Sequence, residues 1–139
     1  MKLGRLNHVG VATPDIDASI AFYRDVMGAK DITEPFVLES QQVRVCFVNT
    51  PGEDGTAGTQ IELIQPTVLV ALGKTAAISL LGMDPATPVS RLRGTLHRYQ
   101  DLPLVVTYHP AYLLRTLTDK SKAWADLCLA MSTYAAQAR

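Results

Sequence analysis

The stretch Thr59–Pro66, TQIELIQP, decides how the chain folds, because the segments on its two sides differ in character. Gln60, Glu62 and Ile64 alternate and would share one face of a strand. Ile61 and Ile64 would also suit a short helix that ends at the proline. The pattern leaves both structures open. We favour the strand, because the glycines and the threonine just before this stretch are poor helix formers.

The residues before this stretch predict a strand, a helix and three further strands. Residues Leu6–Thr13 alternate as a half-buried strand does. Thr13 is predicted to cap the helix, with Pro14 in its first turn and Gly28 after its end. The three further strands are predicted at about Ile32–Leu38, Val43–Asn49 and Thr59–Gln65. One helix on four strands leaves one face of the sheet uncovered.

The residues after this stretch predict a different order of elements. Thr67–Leu72 is a continuous apolar strand, and Gly73 opens a helix that runs to Leu81. Two strands, Gly94–Gln100 and Leu104–His109, are predicted around a turn at residues 101–103. A long helix then runs to the C-terminus, with one apolar face formed by Trp124, Leu127, Cys128, Met131 and Tyr134.

The formal net charge of zero hides an asymmetry between the two parts. Residues 1–66 carry five Lys and Arg against nine Asp and Glu, and residues 67–139 carry eight against four. The net charges are therefore −4 and +4. A basic half of this size is compatible with nucleic acid, but mutual attraction of the halves, or of two copies, explains it equally well. We favour the second explanation.

The cysteines and the hydropathy limit the class of protein. Cys46 and Cys128 both lie in apolar patterns and are predicted to be buried, reduced thiols, and neither belongs to a CxxC pair. No apolar run approaches the roughly 18 residues that a membrane span needs. We expect a cytoplasmic protein without a membrane partner.

Three segments of the first part carry a family resemblance: LNHVGVATPDIDASIAFYRDVMGA, VRVCFVNTPG and GTQIELIQP. They resemble the first βαβββ repeat of the vicinal oxygen chelate superfamily, closest to the methylmalonyl-CoA epimerases. The resemblance implies that His8 and Glu62 are the first two ligands of a divalent metal such as Co, Mn, Ni or Zn. The family takes its other histidine and glutamate from a second repeat, which the sequence after residue 66 does not resemble. Two copies that dimerise through their open sheets would pool His8 and Glu62 into one site.

Four segments of the second part carry another resemblance: TVLVALGKTAAISLLG, RLRG, TYHPAYLLR and KAWADL. They resemble the C-terminal half of the iron–sulfur type uracil-DNA glycosylases. The resemblance implies that His109 hydrogen-bonds the uracil carbonyl. It also implies that Arg93 presses on the DNA backbone, and that Tyr112, Leu113 and Arg115 belong to the segment that wedges into the duplex. The family's cluster needs four cysteines, and two unpaired cysteines predict no iron–sulfur cluster.

Together these observations predict an α+β fold in which a βαβββ half of a vicinal oxygen chelate domain, 1–66, is joined to a βαββα tail of a glycosylase-like α/β fold, 67–139. The halves are expected to form one fused compact unit, with the join at 59–66. The leading hypothesis is a recombinant or designed chimera without native catalysis, because each resemblance supplies only part of an active site.

The hypothesis includes a divalent metal bound through a dimeric half-site, and it favours a homodimer over DNA as the partner. One alternative is weak nucleic-acid binding or remnant uracil-DNA glycosylase activity. The other alternative is a metal-dependent epimerase-like isomerase.

Overall fold

The computed structural model describes residues 6–52 and 56–137, and the chain divides into two compact units, residues 1–66 and 67–139. Both units mix helices and strands, so the predicted α+β class is confirmed. The first unit contains β1 (His8–Ala12), α1 (Ile16–Asp25), β2 (Asp31–Ile32), β3 (Phe36–Leu38), β4 (Val43–Pro51) and β5 (Ala57–Gln65).

The sheet of the first unit has the order β1-β5-β4-β2, and β3 also pairs with β4. β1 runs parallel to β5, whereas β4 is antiparallel to β5, β2 and β3. The strand predicted over Ile32–Leu38 is wrong as one element, because it forms two short strands on either side of Pro35. Proline has no amide hydrogen to donate to a sheet ladder, so a break there is expected.

The stretch that decides the fold is a strand, as favoured from its alternation. Residues 59–65 lie within β5, and Glu62 pairs with Phe47 on β4 and Gly10 on β1. The helical alternative is therefore excluded. Glu62 stays in the sheet, on the same face as His8.

The N-cap of helix α1 is Asp15, and not Thr13 as predicted. The Asp15 side chain accepts a hydrogen bond from the Ala18 amide, and Asp15 itself is extended, as an N-cap residue is. Thr13 directly follows β1, and its amide donates to the Ile64 carbonyl at 2.8 Å. The helix packs on one face of the sheet, in a core that contains Ile16, Cys46, Val48 and Leu63.

The second unit contains β6 (Leu69–Leu72), α2 (Lys74–Leu81), α3 (Val89–Leu92), β7 (Leu96–Tyr99), β8 (Leu102–Thr107), α4 (Pro110–Leu113) and α5 (Lys120–Gln137). Its sheet has the order β6-β8-β7, with β6 parallel and β7 antiparallel to β8. The core is built on β8 and contains Ala71, Ala77, Leu92, Leu104 and Val106. The predicted helix from Gly73 to Leu81 is confirmed as α2, which ends at the left-handed Gly82.

The turn between β7 and β8 starts one residue earlier than predicted, at Gln100, and ends two residues earlier, at Asp101. Gln100 and Asp101 both have positive φ, 45° and 67°, and form a two-residue hairpin loop. Pro103 is not in the turn but in β8, opposite Arg98. It precedes Leu104, the first β8 residue that pairs with β6, so its missing amide hydrogen breaks no ladder bond to that strand.

The long C-terminal helix differs from the prediction in two ways. It is broken into α4, a 3₁₀ turn at Leu117–Asp119, and α5. The predicted apolar face is not the buried one: Trp124 and Met131 are 66% and 68% exposed, and Cys128 is also exposed, contrary to prediction. Cys46 is buried as predicted. The buried residues of α5 are Ala123, Asp126 and Ala130. Small residues on this inner face let α5 lie close to β8.

Candidate functional sites

The first candidate site is formed by His8 and Glu62, on neighbouring parallel strands. His8 Nε2 lies 3.6 Å from Glu62 Oε2, and the two side chains are 50% and 17% exposed. Gly10 is the residue directly opposite Glu62 on β1, and a Cβ at this position would lie 3.3 Å from the Ile64 side chain. The structure thus brings together the two residues that the family resemblance singled out.

Asn7 controls which nitrogen of His8 is available to a ligand. The Asn7 Oδ1 oxygen lies 2.9 Å from His8 Nδ1, and a carbonyl oxygen accepts only, so Nδ1 donates. In the neutral imidazole this leaves the Nε2 lone pair facing Glu62. Two acceptors at this separation need a proton or a cation between them. The sequence analysis did not single out Asn7, and its only signal was a polar residue next to the histidine.

The pair fits a divalent metal. Metal–nitrogen and metal–oxygen bonds of about 2.1 Å place two ligand atoms about 3 to 3.5 Å apart, close to the observed separation. An imidazole and a carboxylate suit Co, Mn, Ni or Zn. Within residues 6–52 and 56–137, no group of three or more His, Cys, Asp and Glu could hold a metal ion. In the part of the chain that the structure describes, His8 and Glu62 therefore do not belong to a larger group of this kind.

The second candidate site surrounds His109, at the carboxyl ends of the parallel strands β6 and β8. His109 caps the short helix α4, and its Nδ1 accepts a hydrogen bond from the Ala111 amide at 3.1 Å. In the neutral imidazole the proton is then on Nε2, so this exposed histidine presents a donor. Such a donor suits a carbonyl oxygen or an anion.

Gly73 makes room for His109. It has a φ of 92°, and a Cβ on it would lie 2.9 Å from the Cβ of His109. Its amide also donates to the Thr107 carbonyl at 2.9 Å, which ties the end of β6 to the end of β8. The positive φ and the close approach to His109 each require a residue without a side chain at this position.

Arg93 is held by the protein itself. Its guanidinium makes two hydrogen bonds to Asp126, at 3.0 and 2.9 Å, and one to the Lys122 carbonyl at 2.6 Å. It also lies over the ring of Tyr108, 5.4 Å from the centroid. Asp126 is 1% exposed and accepts a further hydrogen bond from Thr107 at 2.8 Å. A DNA contact by Arg93 stays a prediction, and the structure gives its side chain an internal role.

Tyr112 is also engaged within the second unit. Its ring stacks on Tyr108 with centroids 4.8 Å apart, and its hydroxyl donates to Asp119 at 2.7 Å. Asp119 also pairs with Lys122 at 2.8 Å. The Lys122 hydrogen bond, followed by that of Tyr112, lowers the pKa of Asp119, and the same Tyr112–Asp119 bond raises the pKa of Tyr112.

The remaining predicted DNA contacts lie around α4. Leu113 is half-buried and Arg115 is exposed. Their role as a wedge in a DNA duplex stays a prediction, as does that of Tyr112. The remaining histidine, His97, lies with Nε2 2.6 Å from the Leu92 carbonyl and belongs to the structure of the unit.

Two family models match consecutive parts of the chain. Residues 58–128, just over half of the chain, match the Uracil DNA glycosylase superfamily, and the chain belongs to that superfamily through this region. Residues 7–69 match the Glyoxalase/Bleomycin resistance protein/Dioxygenase superfamily, so the first part is glyoxalase-like. The two matches overlap at residues 58–69, around the stretch Thr59–Pro66.

Among similar proteins, the mitochondrial methylmalonyl-CoA epimerase of Mus musculus is 46% identical over 65 residues, which cover 47% of this chain and 33% of that protein. The uncharacterized protein YwbC of Bacillus subtilis is 36% identical over 89 residues, covering 63% of this chain and 68% of that protein. A solved methylmalonyl-CoA epimerase of Streptomyces coelicolor has a TM-score of 0.40 and 18% identity, over 78% of this chain and 99% of that chain. The chain spans about a third of the length of the mammalian epimerases it matches.

In the part of the chain that the structure describes, no helix is long and apolar enough to cross a membrane. The expected cytoplasmic location stays a prediction.

Proposed function

We propose that His8 and Glu62 are half of a divalent-metal site of an epimerase-like isomerase, completed by a second copy of the chain. The observation that carries this proposal is the 3.6 Å separation of Nε2 and Oε2 on adjacent strands. The similarity of residues 7–69 to the glyoxalase superfamily and to methylmalonyl-CoA epimerases supports it.

The second copy is needed because the metals that suit this pair take four to six ligands. A two-fold axis close to the pair would bring the same two residues from the partner, so that two histidines and two glutamates surround one ion. His8 is half exposed, which leaves it accessible to such a partner. The helix α1 packs on the opposite face of the sheet and does not obstruct this approach.

A metal held in this way would polarise a substrate carbonyl, which makes the proton on the neighbouring carbon easier to remove. The substrate class we propose is an acyl-CoA thioester with an acidic α-carbon, by similarity to the epimerases. The roles assigned to this chain are limited to metal binding: His8 donates the Nε2 lone pair, Glu62 donates a carboxylate oxygen, and Asn7 fixes the imidazole.

The experiment is a calorimetric titration of chelator-treated protein with Co²⁺. We expect one ion per two chains, and a loss of affinity of about 100-fold or more in His8→Ala and Glu62→Gln, since even groups that only orient a ligand change affinity about 10- to 100-fold. Glu39→Gln is the matched control, because Glu39 is an exposed carboxylate between β3 and β4. Unchanged binding in Glu62→Gln, or one ion per chain, would contradict the proposal.

A second candidate function is recognition of a uracil carbonyl by His109. The specific observation is the Ala111 amide donating to Nδ1, which leaves Nε2–H as an exposed donor. Membership of residues 58–128 in the glycosylase superfamily supports it.

The test is binding of a single-stranded oligonucleotide that contains one uracil, measured across a salt series. We expect weaker binding in His109→Ala than in the unchanged protein, and no such difference with an abasic analogue in place of the uracil nucleotide, because the analogue has no base carbonyl. Equal binding of both oligonucleotides by both proteins would leave only charge attraction and would reject this function.

A further inference from the structure

A row of polar side chains crosses the sheet of the first unit beside Glu62. Asp31 on β2 stands opposite Asn49 on β4, and Asn49 stands opposite Gln60 on β5. Gln60 in turn stands opposite His8 on β1. Residues that stand opposite each other in a sheet point to the same face. The row therefore shares the face of His8 and Glu62, and α1 packs on the other face.

The two amides of this row, those of Asn49 and Gln60, bond to each other across the strands. Gln60 Nε2 donates to Asn49 Oδ1 at 2.7 Å. This bond engages the nitrogen of the Gln60 amide and leaves its oxygen as an acceptor. Within residues 6–52 and 56–137, that oxygen has no hydrogen-bond partner. No buried side-chain oxygen or nitrogen of these residues lacks a partner, so the Gln60 oxygen is accessible.

The position of Gln60 beside the two metal ligands defines what this acceptor can meet. Its Cα atom lies one strand spacing, about 5 Å, from that of His8, and two residues, about 7 Å, before that of Glu62. In an acyl-CoA, a sulfur and two methylene groups separate the thioester carbonyl from the first amide N–H, a span of roughly 5 Å. A thioester carbonyl at the metal would therefore bring this N–H to the Gln60 oxygen.

We infer that the Gln60 oxygen accepts the N–H of the amide next to the thioester, and that Asn49 orients the Gln60 amide for this contact. The inference rests on the proposed function, because the metal-bound thioester brings the amide to Gln60. Asp31 adds an exposed carboxylate at the end of the same row. Its negative charge disfavours an anionic group there and favours a neutral amide. Thioesters that carry this amide are therefore preferred over thioesters that lack it.

The test compares two small thioesters that differ at this group alone. One is S-propionyl-N-acetylcysteamine, and the other is its oxygen analogue, in which an ester oxygen replaces the amide N–H. Both are titrated into the full chain loaded with Zn²⁺, which is diamagnetic, and binding is followed by NMR. We expect the amide to bind about 3- to 10-fold more tightly, the contribution of one hydrogen bond. The side-chain NH₂ signal of Gln60 should shift with the amide.

Substitutions in the amide pair separate the contact from the metal. Gln60→Met keeps the length of the side chain and removes the acceptor, so it should abolish the preference and leave the Zn²⁺ affinity unchanged. Asn49→Leu should reduce the preference, whereas Asn49→Asp, which retains an acceptor for Gln60 Nε2, should keep it. Gln41→Met is the matched control, because Gln41 is an exposed glutamine in the turn between β3 and β4. It should leave the preference unchanged.

The outcomes distinguish this inference from the metal half-site. Equal binding of the two thioesters by the Zn²⁺-loaded chain, or a preference that survives Gln60→Met, would overturn the inference and leave the half-site in place. A preference that persists in a chain that binds no Zn²⁺ would support the Gln60 contact and reject the half-site. Thioesters that leave the NMR spectrum unchanged, both with Zn²⁺ and in chelator, would overturn the inference.

Discussion

His8 and His109 are the two histidines that the family resemblances single out, and their environments are opposite. His8 donates from Nδ1 to Asn7 and turns Nε2 toward a carboxylate 3.6 Å away. His109 accepts at Nδ1 from a backbone amide, at 3.1 Å. In the neutral form, the first therefore presents a lone pair and the second presents an N–H.

The comparison shows that one local hydrogen bond decides what a histidine can bind. A lone pair beside a carboxylate suits a metal cation, whereas an N–H at the end of a strand suits a carbonyl or an anion. In both places the deciding group lies within two residues of the histidine, so the roles of His8 and His109 can be separated by changes that leave each imidazole in place.

The largest loss of stability should come from breaking the ion pair between Asp126 and Arg93, which lies in the same unit as His109. Asp126 is 1% exposed and binds both Arg93 and Thr107, two residues before His109. Asp126→Asn should lower the free energy of unfolding of the second unit by about 3 kcal/mol, because the guanidinium of Arg93, which is only 16% exposed, loses its counter-charge. Urea denaturation followed by circular dichroism measures it.

The matched substitution is Asp101→Asn, at an exposed position whose left-handed backbone asparagine also tolerates. It should change the free energy of unfolding only slightly. Asp126→Asn should also leave Co²⁺ binding unchanged, because His8 and Glu62 belong to the first unit. A cost below about 1 kcal/mol for Asp126→Asn would show that the pair does not hold this unit together.

A smaller effect should follow from filling the space beneath His109. Gly73→Ala combines a positive φ with a Cβ that meets the Cβ of His109, so we expect a cost of about 2 kcal/mol. Gly82→Ala has a positive φ alone, with nothing within 4 Å, and should cost about 1 kcal/mol. Urea denaturation of the two variants separates backbone strain from the close approach. Equal costs would mean that His109 moves aside without penalty.

On the His8 side, Asn7→Ala should weaken Co²⁺ binding about tenfold, because the imidazole loses the acceptor that fixes its tautomer and orientation. Asn7→Asp keeps an oxygen acceptor and should keep the affinity. Calorimetry on both variants is the measurement. If the two lose affinity equally, the role of Asn7 is not that of an acceptor.

The smallest expected effect is on the stability of the fold at acidic pH. Hydrogen bonds from Lys122 and then Tyr112 hold the pKa of Asp119 below its ordinary value of 3.8. A lowered folded pKa stabilises the fold above that ordinary value, and the contribution disappears as pH falls through the folded pKa. Unfolding midpoints between pH 5 and 2 should therefore fall less steeply in Asp119→Asn than in the unchanged chain. Parallel curves would contradict this expectation.

The sequence predicted the His8 site better than the last helix. Alternation in β5 places Glu62 on a defined face, and a strand has only two faces, so a period of two was sufficient. The distance to His8 depends on β1 lying beside β5, which the family resemblance implied and local pattern alone does not contain. The hydrogen bond from His8 to Asn7 was missed because it depends on a side-chain conformation.

The sequence pattern failed for α5 because a helix can carry two packing faces. The apolar spacing of Trp124 and Met131 is real, but it does not say which face turns inward. Asp126 turns inward because Arg93, 33 residues earlier, supplies its counter-charge. No proline or glycine at the break before α5 indicates it in the sequence. The break coincides with the hydrogen bond between Tyr112 and Asp119. Both causes are tertiary contacts.

The central claim, a metal half-site completed by a second copy, is tested most directly by a native mass spectrum of the Co²⁺-loaded protein. The account predicts two chains with one Co²⁺, and single metal-free chains once Glu62→Gln is added. Single chains without metal before that change, or a metal-bound dimer that survives it, would contradict the account.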